Sequence, residues 1–343
     1  MNLLYPLKFK PIIKDKIWGG NRLKNVLNKK TKTDKAGESW EISGYPGSIS
    51  KVSNGFLTGN TLEEIIEVYM GDIVGDQVFE KFGTLFPLLI KFIDANDILS
   101  VQVHPDDKLA EKQFGSYGKT EMWYVISAEK DSEIIVGFKV GVDRDQYLQH
   151  LGNKTLMNIL NREKAVPGDV FFLPAGRIHA IGSGILLAEI QQTSDATLRI
   201  YDYDRLDDKG KPRELHTDKA LEAIDFGAVN QYKTSYDKVP DQSNTLVSCP
   251  YFTTNILDIT RSLEKDYNPI DSFVIYMCLN STFNIIYRDG ESEPVKMGET
   301  VLLPADLKHI RLVPEGGSAR LLEIYIEGDN NVERAEDLIN RLF

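Results

Sequence analysis

The sequence predicts a mainly β chain of two jelly-roll-like β-barrel domains with short helical insertions. Three observations carry that prediction. The run Gly168-Asp-Val-Phe-Phe-Leu-Pro-Ala-Gly-Arg-Ile-His179 returns 130 residues later as Gly298-Glu-Thr-Val-Leu-Leu-Pro-Ala-Asp-Leu-Lys-His309, so one supersecondary unit is used twice. Short stretches rich in β-branched and aromatic residues, punctuated by Gly, Asn, Asp and Pro, fill residues 38–52, 99–104, 121–138, 170–203, 246–257 and 272–326. That rhythm belongs to antiparallel sandwiches or barrels rather than alternating βα units. Finally, 343 residues exceed what a single core usually supports.

The elements follow in chain order. Trp18-Gly-Gly20 reads as a tight turn, because adjacent glycines signal an unusual backbone. Thr61-Leu-Glu-Glu64 is a capping box opening a short amphipathic helix that runs to Met70 and is closed by Gly71. Pro105 stands at the start of a second helix, with Asp106 and Asp107 in its first turn and Gly115 past its end. Residues 143–161 read as two short helices inserted between strands of the first unit, residues 217–226 as another, and residues 331–342 as a C-terminal one. The polar stretch 228–245 suits a connection, which divides the chain into domains at 1–235 and 236–343. Aligning Glu121 with Ser272 and Gly168 with Gly298 leaves 21 more residues in the first copy, which the helical insert absorbs.

Composition narrows the function classes. With 42% hydrophobic and 27% charged residues, the chain is an ordinary globular protein. A net charge of −11 opposes a nucleic-acid partner and requires that any anionic ligand be met by locally clustered Lys or Arg. The apolar run Leu85-Phe-Pro-Leu-Leu-Ile90 stops at Lys91 and the first residues lack a basic n-region, so neither a membrane span nor a signal peptide is expected. Cys249 and Cys278 form no Cys-x-x-Cys pattern and read as reduced, buried residues of a cytoplasmic protein.

The two copies differ in chemistry. Upstream of the first lie Gln102-Val-His104 and Lys119-Thr-Glu121, whereas the approach to the second, residues 272–280, carries no histidine or carboxylate. Because strand side chains alternate faces, Ser100, Gln102 and His104 share one side, as do Lys119, Glu121 and Trp123, then Leu187, Glu189 and Gln191, then Arg199, Tyr201 and Tyr203. In a small barrel such stripes converge inside. His104, Glu121 and His179 supply two imidazoles and a carboxylate, which suit a divalent first-row ion, with the Gln102 amide oxygen as a weak fourth ligand. His150 and His216 lack partners and read as surface residues, and His309 as structural. The same donor set also suits non-haem iron in an oxygenase, or a non-catalytic sensor that keeps the metal for folding.

The chain resembles, nearly end to end, the type I mannose-6-phosphate isomerases, zinc enzymes of the cupin superfamily. The residues that carry the resemblance are Ile17-Trp-Gly-Gly20, Glu38-Ser-Trp-Glu-Ile-Ser43, Pro87-Leu-Leu-Ile-Lys-Phe-Ile-Asp94, Leu99-Ser-Val-Gln-Val-His-Pro-Asp106, Gly118-Lys-Thr-Glu121, Gly182-Ser-Gly184 and Glu189-Ile-Gln-Gln-Thr-Ser-Asp195 running into Leu198-Arg-Ile-Tyr-Asp202. The resemblance implies one zinc ion per chain, held by Gln102, His104, Glu121 and His179, with Arg199 beside the reacting carbons and Ser100 and Lys119 receiving the phosphate of a small phosphorylated sugar. The large helical domain of the longer members is absent between Glu121 and His179, as in compact bacterial forms, and whether the chain is a monomer or a homodimer stays open.

Interconversion of mannose 6-phosphate and fructose 6-phosphate moves a proton between C2 and C1 through an enediolate, which needs a general base. Glu189, among Leu187, Ala188 and Ile190, is the expected base, with a carboxyl raised by its apolar neighbours. The competing role is an ion pair that orients Arg199. Trp123 reads equally as core packing or as a platform for the sugar, and Tyr201 and Asp202 as braces for Arg199 or a strand end.

Overall fold

The computed structural model describes residues 3–206, 210–227, 229 and 231–327, and is mainly β as predicted. Its described strands form three sheets. A six-stranded sheet runs, edge to edge, through Ile12–Gly20, Ala36–Ser43, Leu88–Ala95, Ile185–Gln192, Glu121–Ala128 and Val170–Leu173. A five-stranded sheet runs through Leu198–Tyr201, Val101–Val103, His179–Ile181, Glu133–Phe138 and Leu160–Lys164.

Period-two alternation divides the side chains of these strands between separate cores. Between the two sheets lie Ile93, Trp123 and Leu187 from the first and Ile134, Val136 and Ile181 from the second. The outer face of the five-stranded sheet is covered by the helices Arg144–Gly152 and Thr217–Ala223, which contribute Tyr147 and Ala220. The outer face of the six-stranded sheet, with Ile90, Phe92, Ala188 and Ile190, shares one continuous core with the third sheet through Ile275, Leu302 and Leu322. That eight-stranded sheet holds the C-terminal strands from Asn244–Ser248 to His309–Tyr325, and also Leu7–Lys8 from the far end of the chain, with Leu7 opposite Leu302.

The internal repeat is visible in hydrogen bonds. The Gly168 amide donates to the Val125 carbonyl and the Gly298 amide to the Cys278 carbonyl, each at 2.8 Å, with both glycines at positive φ of 91° and 83°. Register corrects the expected alignment: Glu121 lies opposite Leu173 as Val274 lies opposite Leu303, so Val274, not Ser272, is the counterpart of Glu121. Apolar alternation in a sequence fixes a strand's faces, while the partner strand fixes its register.

Helix signals were legible at their starts. Thr61 and Glu64 form the reciprocal capping box of the helix Leu62–Tyr69. That helix ends at Met70, with φ 47°, whereas Gly71 opens the next short helix Gly71–Val74. Asp106 caps the helix Asp107–Phe114, leaving Pro105 one residue outside it, and Gly115 closes it in the left-handed conformation. The insert is one α-helix, capped by Asp143 and Gln146, and one 3-10 turn, Leu156–Asn158. The expected helix at 331–342 lies outside the described residues. Trp18-Gly-Gly20 ends a strand rather than making a turn: a Cβ on Gly19 would stand 2.2 Å from the Lys35 carbonyl oxygen, so the glycine serves close backbone approach. Cys278 is buried and Cys249 half-buried, both as free thiols. No helix among the described residues is long and apolar enough to cross a membrane.

Candidate active site and metal centre

Three strands deliver the donors. His104 follows Val101–Val103, Glu121 opens Glu121–Ala128, and His179 opens His179–Ile181, where it lies opposite Gln102. Glu121 Oε2 is 3.5 Å from His104 Nε2 and Glu121 Oε1 is 3.4 Å from His179 Nε2. The three are fully buried and form the one group of His, Cys, Asp or Glu side chains with metal-ligand geometry among the described residues.

The far side of each imidazole is anchored. His104 Nδ1 is 2.8 Å from the Ala196 carbonyl and His179 Nδ1 is 2.8 Å from the Arg177 carbonyl, so each Nδ1 carries the proton and each Nε2 keeps its lone pair for the centre. Burial, joined by the charge of Lys119, lowers His104 well below the ordinary imidazole range, and burial lowers His179 to about 4. Both rings are therefore neutral at pH 7, the form a metal binds. Glu121 Oε1 is buried without a hydrogen-bond partner, and burial pushes its carboxyl up to about 7. Two imidazole lone pairs and a buried carboxyl oxygen with no hydrogen-bond partner form a donor set that fits a divalent cation. The Gln102 amide nitrogen is 3.4 Å from His179 Nε2, and turning the amide over would direct its oxygen there instead.

Lys119 stands against the same donors. Its Nζ lies 2.6 Å from Glu121 Oε2 and 3.0 Å from His104 Nε2, so its ammonium is directed at the donors. Beside them opens a cavity of about 310 Å³ lined by Ser100, Gln102, Lys119, Glu189 and Arg199. Five cations, Lys16, Lys91, Lys119, Arg199 and Arg213, face three carboxylates, Glu38, Glu189 and Asp195. In a chain of net charge −11 this is the local positive surplus that an anionic ligand needs.

The carboxyl of Glu189 departs from expectation. Burial pushes it up, but Lys91 at 3.0 Å, the charge of Lys119 and the Trp123 Nε1–H at 2.8 Å outweigh burial and hold it below the usual carboxylate value. The physical reason is alternation: Ala188 and Ile190 point into the core on the other face, so they never surround the carboxylate. Its ion-pair partner is Lys91 rather than Arg199. Trp123 is buried, edge-on to the His179 ring at 5.3 Å, and braces both His179 and Glu189.

Arg199 lines the cavity with Nη1 donating to the Glu214 carbonyl at 2.8 Å and its buried Nε without a partner. Its strand is tied to His216, whose Nδ1 accepts the Arg199 amide at 3.1 Å, so His216 is a half-buried support and not a free surface residue. Asp202 braces Arg205 and Arg213, the latter through Arg213 Nε at 2.7 Å, and Tyr201 packs on Tyr203. His150 bonds the Thr155 hydroxyl at 2.8 Å within its own insert. His309 is exposed and sits 3.6 Å from Asp266.

The chain is similar to several characterised proteins. Residues 6–136 match the model of the family described as phosphomannose isomerase type I, catalytic domain. The mannose-6-phosphate isomerase ManA of Bacillus subtilis is 37% identical over 315 residues, covering 90% of this chain and 95% of the relative. The chain belongs to the type I phosphomannose isomerases. The mannose-6-phosphate isomerase of Streptococcus mutans is 37% identical over 308 residues, covering 88% of this chain and 93% of that one. The crystal structure of the mannose 6-phosphate isomerase from Bacillus subtilis superposes with a TM-score of 0.84 at 34% identity, covering 94% of this chain and all of that one.

As a type I phosphomannose isomerase the chain is an enzyme of the isomerase class, which removes the oxygenase and sensor readings that the donors alone leave open. Sequence reasoning gave no role to Lys91, Glu38, Lys16 or Arg213, all at the cavity. Lys91 had a signal: it is the lone charge within the apolar run Pro87-Leu-Leu-Ile-Lys-Phe-Ile93. Glu38, buried but held to about 2 because Lys91 and Lys16 outweigh burial, had a weaker one within its strand. Arg213 arrives from a loop and had none.

Proposed function

We propose that this chain interconverts mannose 6-phosphate and fructose 6-phosphate through an enediolate, with one zinc ion per chain. The observation that carries the proposal is the convergence of two Nδ1-anchored, neutral imidazoles on the two oxygens of the buried Glu121 carboxyl, beside a cation-rich cavity. His104, Glu121 and His179 would hold the ion with the Gln102 amide oxygen as a weak fourth donor, an N/O set suited to zinc. When bound, zinc supplies a Lewis acid for the sugar's carbonyl and hydroxyl oxygens.

The chain's own residues do the rest. Glu189, ionised at the cavity wall, takes the proton from C2 of the open-chain aldose and returns it to C1, while a second proton passes from O2 to O1 to complete the ketose. Lys91 and Trp123 keep that carboxylate charged and aimed. Arg199, always protonated, stabilises the oxyanion that develops as the carbon is deprotonated. Lys119 and Ser100, both at the cavity wall, would receive the phosphate, with the Lys119 ammonium supplying positive charge beside the donors. Residues 1–235 carry this chemistry, residues 236–343 form a barrel without metal, and the enzyme works in the cytoplasm, where its two cysteines stay reduced.

The test is a coupled assay of fructose 6-phosphate formation from mannose 6-phosphate, run before chelation, after it, and after zinc is restored. Turnover should vanish and return. Full turnover in the chelated protein would refute the metal's role, and absence of fructose 6-phosphate throughout would refute the substrate.

A further inference from the structure

A second concave site lies away from the metal cavity, along the seam where the N-terminal strand Leu7–Lys8 joins the C-terminal sheet. Its volume is about 870 Å³. Six lysines line it: Lys8, Lys10, Lys29, Lys30, Lys51 and Lys296. They come from four separate segments, so their convergence is a product of folding. The Lys10 amide bonds the Lys51 carbonyl at 2.9 Å, which sets those two residues side by side.

Charge accounting decides what this cleft can hold. Two of the lysines are committed, Lys8 to Glu299 and Glu293 at 2.8 and 3.0 Å, and the buried Lys29 to Glu41 at 2.7 Å. The other four, Lys10, Lys30, Lys51 and Lys296, are exposed, and no carboxylate lies within salt-bridge distance of their ammonium groups among the described residues. Glu64, whose side chain is engaged in its capping box, forms no salt bridge with Lys51. Four uncompensated cations facing one cleft repel each other, an arrangement that favours an anion of several charges.

The lining further defines the ligand. The floor is apolar, with Phe9, Leu27, Val52 and Met297, which suits a ring or other flat hydrophobic group. Within the lining, the Thr300 hydroxyl is buried, the residue being 5% exposed, and has no hydrogen-bond partner. That hydroxyl is closed to solvent, so it belongs to the wall of the cleft and is no contact for a ligand. We infer that this seam is a second binding site, for a multiply charged phosphate ester of nucleotide size whose phosphates meet the free lysines and whose ring lies on the apolar floor. At about 870 Å³ the cleft has room for a nucleotide. This inference is independent of the reaction proposed above.

The test is calorimetric titration of the full chain with adenosine triphosphate and, separately, inorganic tripolyphosphate. Mannose 6-phosphate is kept saturating to fill the catalytic cavity, and salt is held near the physiological level, where the Debye length is about 8 Å and diffuse charge effects are screened. The nucleotide should bind saturably and more tightly than tripolyphosphate. Lys30→Ala with Lys296→Ala should weaken it by about tenfold or more, since charge-assisted hydrogen bonds to phosphate are lost. The lysines are exposed, so an unchanged melting temperature in the double variant would show that folding is intact. Absence of nucleotide binding, equal affinity for the two probes, affinity unchanged in the double variant, or displacement by mannose 6-phosphate would each overturn the inference.

Discussion

Replacing Lys91 by Met leaves the Glu189 carboxylate buried without its nearest cation. Both side chains are about 4% exposed and their charged atoms are 3.0 Å apart. Removing one partner of a buried ion pair typically costs about 3–5 kcal/mol, because the remaining charge has lost its compensation. Here the Trp123 hydrogen bond and the field of Lys119 remain, which directs the expectation to the lower end, about 3 kcal/mol. The sign of the pH dependence follows. In the wild type Glu189 is lowered, so its contribution is present above its unfolded value and is lost as pH falls through the folded one. In Lys91→Met burial is no longer opposed by that charge, and the folded carboxyl rises above its unfolded value. Stability is then fully present below the unfolded value and is lost as pH rises, so the variant's deficit should grow from pH 5 to pH 8. The assay is the urea midpoint at each pH, compared at constant m-value. Combining Lys91→Met with Glu189→Gln should recover much of the loss, giving a coupling energy of about 2 kcal/mol. A single variant within about 1 kcal/mol of wild type, with no pH trend, would refute this account of the pair.

Other outcomes follow from the same geometry. His104→Ala and His179→Ala should lose bound metal and turnover together, read by metal analysis beside the coupled assay; metal retained at full stoichiometry in either would exclude that ring from the centre. Arg199→Ala should keep its metal while kcat falls by about 10²- to 10³-fold, the usual loss for a group that stabilises a developing oxyanion. His309→Ala should change stability by less than about 0.5 kcal/mol, since the ring is exposed, and leave metal content unchanged. Thr61→Ala should lower stability by about 1 kcal/mol through loss of the capping box, without effect on KM.

What was legible in the sequence was local. The repeat Gly168 to His179 and Gly298 to His309 follows from backbone demands, two positive-φ glycines opening equivalent strands, and such demands are written in residue type. The capping box at Thr61 was legible because it joins residues three apart, whereas the caps at Asp106 and Asp143 came from the structure. His104, Glu121 and His179 were visible because few residue types bind metals, and the structure gathers them. Glu189 was found but its environment misread, because the neighbours that matter, Lys91 and Trp123, stand across the sheet and not beside it in the chain. The same cause hid the exchange in the second copy. Glu323, opposite Tyr276 as Glu189 is opposite Trp123, is neutralised there by Lys265 at 2.7 Å, and Val274 stands where Glu121 stands in the first.

The sequence by itself determined the β character, the duplicated unit, the capping box at Thr61 and the candidate residues His104, Glu121 and His179, since each depends on side-chain chemistry or on contacts within a few residues. Tertiary structure alone decided register, the pairing of Lys91 with Glu189, the attachment of Leu7–Lys8 to the C-terminal sheet and the convergence of lysines at that seam. Those features join residues far apart in the chain, and they form only when strands choose their neighbours.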